Sequence, residues 1–209
     1  MQEIIVVGGG GHAKVVISIL KKLADLRVIG YTDQNDKGAI LGVSYLGPDS
    51  ILAELDRKRE RSAVIAVGQV GLGHQREDIW NKIRSQINCF PAFASPQAVI
   101  NEGVTLGEGS IVMDGVVMNS GSVTGRGAII NTNSTVEHDV IIGDWVHIAP
   151  GATVSGGVKI GSHSMIGAGA VVIEGLTIAT DCMVGAGATV VRSLTEPGVY
   201  AGCPARRVQ

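Results

Sequence analysis

Apolar residues recur at every sixth position through the second half of the chain. Counting in sixes from Ile100 gives sixteen positions as far as Val190, and only Thr124 among them is not plainly apolar. Four positions after each, the residue is mostly serine, alanine, valine or cysteine. Three positions after each, it is mostly glycine, with asparagine or aspartate as substitutes that tolerate turns. This period predicts a parallel β-helix, because one repeat cannot bury its apolar face alone and must stack on its neighbours.

The period also predicts which residues meet in space. Three six-residue repeats form one triangular coil, so residues eighteen positions apart lie one above the other, about 4.8 Å apart. The apolar residue of each repeat and the small residue four positions later point inward, while the residues two and three positions after the apolar one form a corner. Chemistry in such a fold is expected from the polar residues that the repeat does not require.

Residues 1–90 lack this repeat and alternate between short β-branched segments and amphipathic segments. Strands are predicted at 3–7, 27–32 and 63–67, and helices at 12–22, 48–59 and 72–85. Strands that alternate with helices predict a parallel sheet covered by helices, which is an α/β Rossmann-like domain. The predicted organisation is this domain at 1–90, a linker at 91–97, the β-helix at 98–194 and a C-terminal tail at 195–209.

Composition and charge exclude several classes of protein. The 209 residues carry a formal net charge of −2 and no basic run, so no nucleic-acid partner is expected. The chain has no apolar run long enough to span a bilayer and no signal-peptide pattern at its start, so we expect a cytoplasmic protein without membrane insertion. Cys89, Cys182 and Cys203 are far apart in sequence, and we expect free thiols.

A glycine-rich turn follows the first predicted strand. Gly8, Gly10 and Ala13 match the phosphate-binding pattern G-x-G-x-x-G/A, and Asp33 follows the next strand. Such a turn brings backbone N–H groups at a helix N-terminus close to a phosphate, although it can also serve strand-to-helix geometry alone. A dinucleotide, as in an NAD-dependent enzyme, is one interpretation. Because residues 1–90 are short for a full dinucleotide fold, we favour a nucleotide attached to the substrate, with His12 and Asp33 contacting its polar groups.

Three histidines of the β-helix raise the alternative of a metal site. Outer-face histidines hold zinc in the γ-class carbonic anhydrases, whose architecture this repeat also resembles. His138, His147 and His163 are nine and sixteen residues apart, so none stacks on another, and the sequence predicts no metal. His147 is expected to face outward toward a ligand or a neighbouring subunit, and His163 to have a structural role at a corner.

The segment Glu137–Asp139 interrupts the repeat with polar side chains at a corner. A neutral imidazole at His138 can accept a proton from an incoming amine or hydroxyl, and Asp139 can orient the ring. Gly156 lies eighteen residues further on, so its backbone N–H is expected close to the space above His138. A base with a fixed donor nearby is the minimum requirement for acyl transfer.

The chain resembles a known family along almost its whole length. The likeness is carried by IIVVGGGGHAKVV near the start, IINTNSTVEHDVIIGDWVHIAPGATVSGGVKIG in the centre and GVYAGCPARRV near the end. These segments are similar to the left-handed β-helix, hexapeptide-repeat acyltransferases, in the branch of sialic acid O-acetyltransferase and the bacterial UDP-4-amino-sugar N-acetyltransferases. The resemblance implies a left-handed β-helix, acetyl-CoA as co-substrate and a homotrimer with its active site between adjacent β-helices.

The resemblance further implies roles for individual residues. The general base would be His138, with Asp139 raising its basicity. Acetyl-CoA would contact His147, Gly156, Ala168 and Ala186. The nucleotide-sugar would contact Gly10, Gly11, His12, Asp33 and Gly68.

The reaction implied is N-acetylation, by acetyl-CoA, of a UDP- or dTDP-linked 4-amino-4,6-dideoxy sugar, through direct transfer without a covalent acyl-enzyme. Sugar O-acetylation with the same base is an alternative, and a non-catalytic nucleotide-sugar-binding β-helix is another. Gln34 stands where some relatives carry a second acidic residue after Asp33, which leaves the sugar and the nucleotide open. Trp145 and Met165 are expected to face outward and fit a trimer interface.

Overall fold

The structure, a computed structural model, describes residues 1–55, 61–87 and 89–208. The chain forms two compact units. The first contains Met1–Gly68 and Gln75–Pro96, and the second contains Gln69–His74 and Gln97–Gln209. Among the described residues, no helix combines the length and the apolar character that a bilayer span requires.

The first unit is built on a parallel sheet with the strand order β3-β2-β1-β4. The strands of this sheet are β1 (Gln2–Val7), β2 (Leu26–Thr32), β3 (Tyr45–Gly47) and β4 (Ser62–Ile65). The short β5 (Phe93–Ala94), which falls within the predicted linker, belongs to the first unit but not to this sheet. The helices of the first unit are α1 (Gly11–Leu20), a 3-10 turn at Asp49–Ile51, α2 (Leu52–Leu55) and α3 (Gln75–Ile83). The α/β architecture predicted for this region is therefore present.

Three elements of the first unit differ from the sequence-based expectation. The helix predicted at 72–85 begins only at Gln75, because Gly71 and Gly73 adopt φ angles of 83° and 156° that a helix cannot accommodate. The strand β3 was not predicted, since its three residues are too short for a recognisable alternation. The helix predicted at 48–59 is a 3-10 turn followed by α2 as far as Leu55, and residues 56–60 lie outside the described part.

The second unit is a β-helix whose strands are mostly two residues long. Its first face contains β7 (Ile111–Val112), β10 (Ile129–Ile130), β13 (His147–Ile148), β16 (Met165–Ile166), β19 (Cys182–Val184), β21 (Gly198–Ala201) and the antiparallel β22 (Arg206–Arg207). Its second face contains β6 (Val99–Ile100), β8 (Val117–Met118), β11 (Thr135–Val136), β14 (Thr153–Val154), β17 (Val171–Val172) and β20 (Thr189–Val190). Its third face contains β9 (Val123–Thr124), β12 (Ile141–Ile142), β15 (Lys159–Ile160) and β18 (Thr177–Ile178).

The pairing of these strands confirms the predicted eighteen-residue register. Ile129 pairs with His147, Thr135 with Thr153, and Ile141 with Lys159, all in parallel. Each coil therefore adds one strand to each of three faces. Strands β21 and β22 continue the first face into the predicted C-terminal tail.

Small polar residues inside the coils form hydrogen bonds with the corners. Ser110, Ser122 and Ser164 are fully buried, and each hydroxyl donates to a backbone carbonyl fifteen residues further on, at distances of 2.6–2.9 Å. Thr124, the exception to the apolar repeat, is also buried, and its hydroxyl oxygen accepts the Gly107 N–H at 3.0 Å. These bonds allow polar side chains inside a narrow core without leaving their hydroxyl groups unsatisfied.

The corners have the left-handed backbone that the repeat predicts. Asn133, Asp139 and Asp181 have φ angles of 56°, 58° and 53°, and His163, expected to be structural, has φ 63°. Trp145 occupies the same kind of position with φ 61°. The expectation that Trp145 faces outward toward a partner is wrong, because it is only 4% exposed. Its ring lies over Gly127, eighteen residues earlier, where an added Cβ would come within 2.1 Å of the indole.

His12 of helix α1 is a half-buried histidine of the first unit. Its Nε2 is inaccessible to solvent and has no hydrogen-bond partner among the described residues. Gly68 packs against this side chain, because a Cβ added to Gly68 would lie 3.4 Å from the His12 Cβ. Burial, and then the nearby charge of the buried Arg76, lowers the pKa of His12 from 6.5 to about 4. His12 is therefore a neutral imidazole at physiological pH.

We predict that Gly127→Ala destabilises the β-helix more than Gly151→Ala does. Both glycines occupy the same corner position, with φ 60° and 67°, so both substitutions add about 1–2 kcal/mol of backbone strain. Only at Gly127 does the new Cβ meet the Trp145 ring, which adds about 1–3 kcal/mol of overpacking, whereas Gly151 has open space. Thermal unfolding of the two variants measures the difference, and equal melting temperatures would contradict this packing of Trp145.

We predict that the first unit loses stability as the pH falls from about 6.5 to about 4. In that window the unfolded chain protonates His12 while the folded chain keeps it neutral, so protons favour unfolding by up to roughly 3 kcal/mol. Urea unfolding followed by Trp80 fluorescence, in a Trp145→Phe background, measures this loss. His12→Gln should remove this part of the pH dependence, and identical pH profiles for the two proteins would show that His12 does not cause it.

Candidate active site

His138 and Asp139 form a hydrogen-bonded pair at a corner of the β-helix. The distance from His138 Nδ1 to Asp139 Oδ2 is 2.9 Å, and both side chains are well exposed, at 65% and 73%. Because a carboxylate only accepts hydrogen bonds, Nδ1 carries a proton and donates a hydrogen bond to Asp139. The lone pair at Nε2 is therefore available for an incoming proton.

Gly156 lies directly over the His138 ring, as the register predicts. A Cβ added to Gly156 would lie 2.6 Å from His138 Nε2, so only glycine leaves room for the ring in this position. The coils are joined here by the Gly157 N–H, which donates to the His138 carbonyl at 2.9 Å. In the described part of the chain, the Gly156 N–H itself donates to no protein acceptor. A backbone donor and a basic nitrogen therefore lie on adjacent coils.

Ala168 and Ala186 stack on one another at a different corner. The Gly187 N–H donates to the Ala168 carbonyl at 2.8 Å, and both alanines are exposed. Ala168 follows the first-face strand β16, whereas His138 follows the second-face strand β11. Three of the residues predicted to contact acetyl-CoA, Gly156, Ala168 and Ala186, therefore occupy two corners of the β-helix.

His147 lies on strand β13 of the first face and is only 6% exposed. Its Nε2 lies 3.1 Å from Asn131 Nδ2, and its Nδ1 lies 3.2 Å from the backbone carbonyl of Gln69. His147 does point outward from the coil, but it is buried and contacts Gln69 of the same unit. Neither Asn131 nor Gln69 was singled out from the sequence.

The five residues predicted to bind the nucleotide-sugar lie at the carboxyl ends of adjacent strands in the first unit. Gly10 and Gly11 follow β1 and are exposed, and Gly10 caps helix α1 without a side-chain hydrogen bond. Asp33 follows β2, and its Oδ2 accepts the Gly9 N–H at 2.8 Å. Gly68 follows β4 and contacts His12. The structure thus brings all five to one edge of the sheet, where ligands of parallel α/β sheets bind.

Two cavities open at this edge. One, of about 320 Å³, lies between the ends of β1 and β4, where the strand order reverses, and is lined by Val7, Asp33, Asp49 and Val67 among others. The other, of about 570 Å³, is lined by Gly9, Gly10, Gly11, Lys14 and Lys37 among others. The second cavity joins backbone N–H groups at a helix N-terminus to two lysines, a combination that suits phosphate groups.

A ladder of polar side chains lies beside His138 and was not predicted from the sequence. Asn101 donates to Asn119 at 2.6 Å, and Asn119 donates to Glu137 at 2.8 Å, each bond crossing one coil. The eighteen-residue spacing of these three residues was visible in the sequence. The ladder fixes the Glu137 carboxylate next to the candidate base.

Each of the two units matches a known protein family. Residues 3–83 match the PglD N-terminal domain family, and residues 121–156 and 157–192 match the bacterial transferase hexapeptide repeat family. A curated relative, UDP-N-acetylbacillosamine N-acetyltransferase of Bacillus subtilis, is 32% identical over 114 residues. That match covers 54% of this chain and 52% of the relative, so the chain matches about half of the relative's length.

Solved structures match the chain over nearly its whole length. PerB from Caulobacter crescentus, in complex with CoA and GDP-perosamine, is 36% identical and superimposes with a TM-score of 0.90 over 100% of this chain and 98% of that one. The acetyltransferase domain of PglB from Neisseria gonorrhoeae, in complex with acetyl coenzyme A, is 31% identical, with a TM-score of 0.89 over 99% of both chains. The chain therefore belongs to the hexapeptide-repeat, left-handed β-helix sugar acetyltransferase family.

Proposed function

We propose that this protein is an acetyl-CoA-dependent N-acetyltransferase acting on the amino group of a nucleotide-linked 4-amino sugar. The observation that carries the proposal is the His138–Asp139 pair, whose free basic nitrogen lies against Gly156 on the next coil. Relatives matched along the whole chain are named for N-acetylation of perosamine and bind CoA and GDP-perosamine. The glycine-rich edge of the first unit supplies the nucleotide site, and the β-helix supplies the acetyl transfer.

The proposed reaction is a direct transfer. The amine nitrogen attacks the thioester carbonyl carbon, and His138 Nε2 takes the proton that the amine loses. The Gly156 N–H stabilises the negative oxygen of the tetrahedral intermediate. The intermediate then collapses and the C–S bond breaks. The CoA thiolate that leaves accepts the proton from His138, which returns the imidazole to its neutral form. The products are the N-acetylated sugar and free CoA.

Asp139 supports this cycle electrostatically. Its carboxylate holds the Nδ1 proton, which fixes the tautomer in which Nε2 is basic. When Nε2 gains the proton of the amine, the carboxylate stabilises the imidazolium ion that forms. No thiol is required in this sequence of steps, and Cys182 is buried in the core with a pKa raised by burial.

The active form is proposed to be a homotrimer in the cytoplasm. His138 and Gly156 lie at one corner of the β-helix, and Ala168 and Ala186 at another. One acetyl-CoA molecule can contact both pairs of residues most simply between two subunits. In that arrangement the corner with His138 and Gly156 in one subunit faces the corner with Ala168 and Ala186 in its neighbour. Met165, which is partly exposed on the first face, remains a candidate interface residue.

We predict that His138→Asn lowers kcat by about 10²- to 10⁴-fold, because the amide cannot accept the proton. The assay measures free thiol released from acetyl-CoA with a panel of UDP-, dTDP- and GDP-linked 4-amino sugars and matched hydroxy-sugars. The matched control is His163→Asn at another corner, where the left-handed backbone of His163 tolerates asparagine. It should retain wild-type turnover.

Three results would count against parts of this proposal. Near-normal turnover by a trimeric His138→Asn variant would remove His138 as the base. Thiol release with hydroxy-sugars but not amino-sugars would establish O-acetylation instead. Absence of acetyl-CoA binding by the wild-type protein would favour a non-catalytic sugar-nucleotide-binding protein.

A further inference from the structure

A pair of histidines meets away from the candidate active site. The rings of His74 and His163 contact each other, with centroids 4.1 Å apart and planes inclined by 50°. A ring nitrogen of one lies within 4.8 Å of a ring nitrogen of the other. Both residues belong to the second unit, His74 at the end of the segment Gln69–His74 and His163 at a corner of the β-helix. The six-residue period does not predict this pair, because His74 lies outside the repeat.

The carboxylate of Asp181 lies beside His74. Asp181 follows His163 by eighteen residues, and the strands that precede these two corners, β15 and β18, pair in parallel. Its Oδ1 is 3.5 Å from Nε2 of His74. Two imidazoles and one carboxylate of the second unit therefore meet at stacked corners.

The distance between His74 and Asp181 is close to that between two ligands of one metal ion. At 3.5 Å it is longer than a good hydrogen bond. A tetrahedral zinc ion, with bonds of about 2.0–2.1 Å, holds neighbouring ligand atoms about 3.3–3.4 Å apart. The side chains of His74 and Asp181 are 49% and 41% exposed, so small rotations can bring them and His163 around one ion without moving the core.

The backbone directs the two corner side chains to the same side. His163 and Asp181 have φ angles of 63° and 53°, in the left-handed region that few residues other than glycine adopt. The same position two and three coils below is held by Gly127 and Gly109. Because the two stacked corners share one backbone conformation, the side chains of His163 and Asp181 leave the coil in the same direction, where His74 contacts both.

We infer that His74, His163 and Asp181 form a binding site for one divalent transition-metal ion, with zinc as the expected ion. Imidazole nitrogens and a carboxylate oxygen are ligands that zinc takes in proteins. Three protein ligands leave the fourth tetrahedral position to a water molecule. The ion fastens the segment Gln69–His74 to the coils of the same unit.

The role of the ion is structural. Its ligands His163 and Asp181 lie at corners that follow the third face, whereas His138 follows the second. No step of the proposed acetyl transfer uses the ion, so the inference does not depend on the proposed function. The segment needs such a bond because it buries little apolar surface, with Val70 98% exposed and Leu72 41% exposed. Segments of that kind open at low free-energy cost unless a ligand holds them.

The first measurement is calorimetric titration of the full chain, stripped with EDTA, with Zn²⁺. The wild-type protein should bind one Zn²⁺ per chain at this site. His163→Asn should weaken the binding by at least about 100-fold, because loss of a ligand costs no less than loss of a residue that only orients one. Asparagine tolerates the left-handed backbone at this corner, and His74→Gln should have the same effect on zinc.

His138→Asn is the matched control, since it makes the same exchange at the other exposed histidine of a corner, beside Asp139. This variant should bind Zn²⁺ with the affinity of the wild-type protein. Binding that is lost in His138→Asn and kept in His163→Asn would place the ion at the His138–Asp139 pair and overturn the inference.

Two measurements on the wild-type protein need no variant to fold. Anomalous diffraction at the zinc edge should place the ion about 2.0–2.2 Å from a nitrogen of each histidine and an oxygen of Asp181. Hydrogen exchange of the backbone amides at 70–74 should slow by about 100-fold when Zn²⁺ is present at about 100 times its Kd, because opening must first release the ion. An ion found at another place, unchanged exchange in this segment, or no zinc binding by the wild-type chain would each overturn the inference.

Discussion

The eighteen-residue coil is the constraint on which the rest of the structure depends. Each strand of two residues is too short to be stable alone and is held by parallel pairing with the coils above and below. Side chains eighteen residues apart are therefore fixed against one another. This stacking sets Gly156 over His138, Gly127 under Trp145 and Ala186 over Ala168. The candidate active site consists of polar residues added to a frame that the apolar repeat has already fixed.

The two histidines near this site show how a neighbouring residue sets the role of an imidazole. His138 is exposed and donates from Nδ1 to a carboxylate, so it offers a lone pair. His147 is buried and receives a hydrogen bond from an amide, so it offers a proton. In the proposed mechanism the same side chain is a base at one corner, whereas on the adjoining face it donates to a backbone carbonyl. The difference arises from Asp139 and Asn131, not from the histidines themselves.

Much of this arrangement could be predicted from the sequence because the repeat is regular. The register, the left-handed corners at Asn133 and Asp139, and the approach of Gly156 to His138 all follow from counting in sixes and eighteens. Trp145 was placed wrongly because its burial depends on a glycine one coil below, a pairing that a single repeat does not reveal. The His147 contacts were missed because Gln69 lies outside the repeat, 78 residues away in sequence. The six-residue period predicts contacts between coils, but it cannot predict contacts with segments outside the repeat.

The central claim is that the register holds Gly156 against His138 and so creates the transfer site. The most direct test is kcat of a Gly156→Ala variant, with Gly157→Ala as the control. A Cβ at Gly156 would lie 2.6 Å from His138 Nε2 and must displace the ring. A Cβ at Gly157, where φ is 68°, strains the backbone but meets nothing within 4 Å and leaves the ring in place. We expect kcat to fall by about a hundredfold for Gly156→Ala, as displacements near 1 Å do elsewhere, and to stay near the wild-type value for Gly157→Ala. Wild-type turnover by Gly156→Ala would contradict the account.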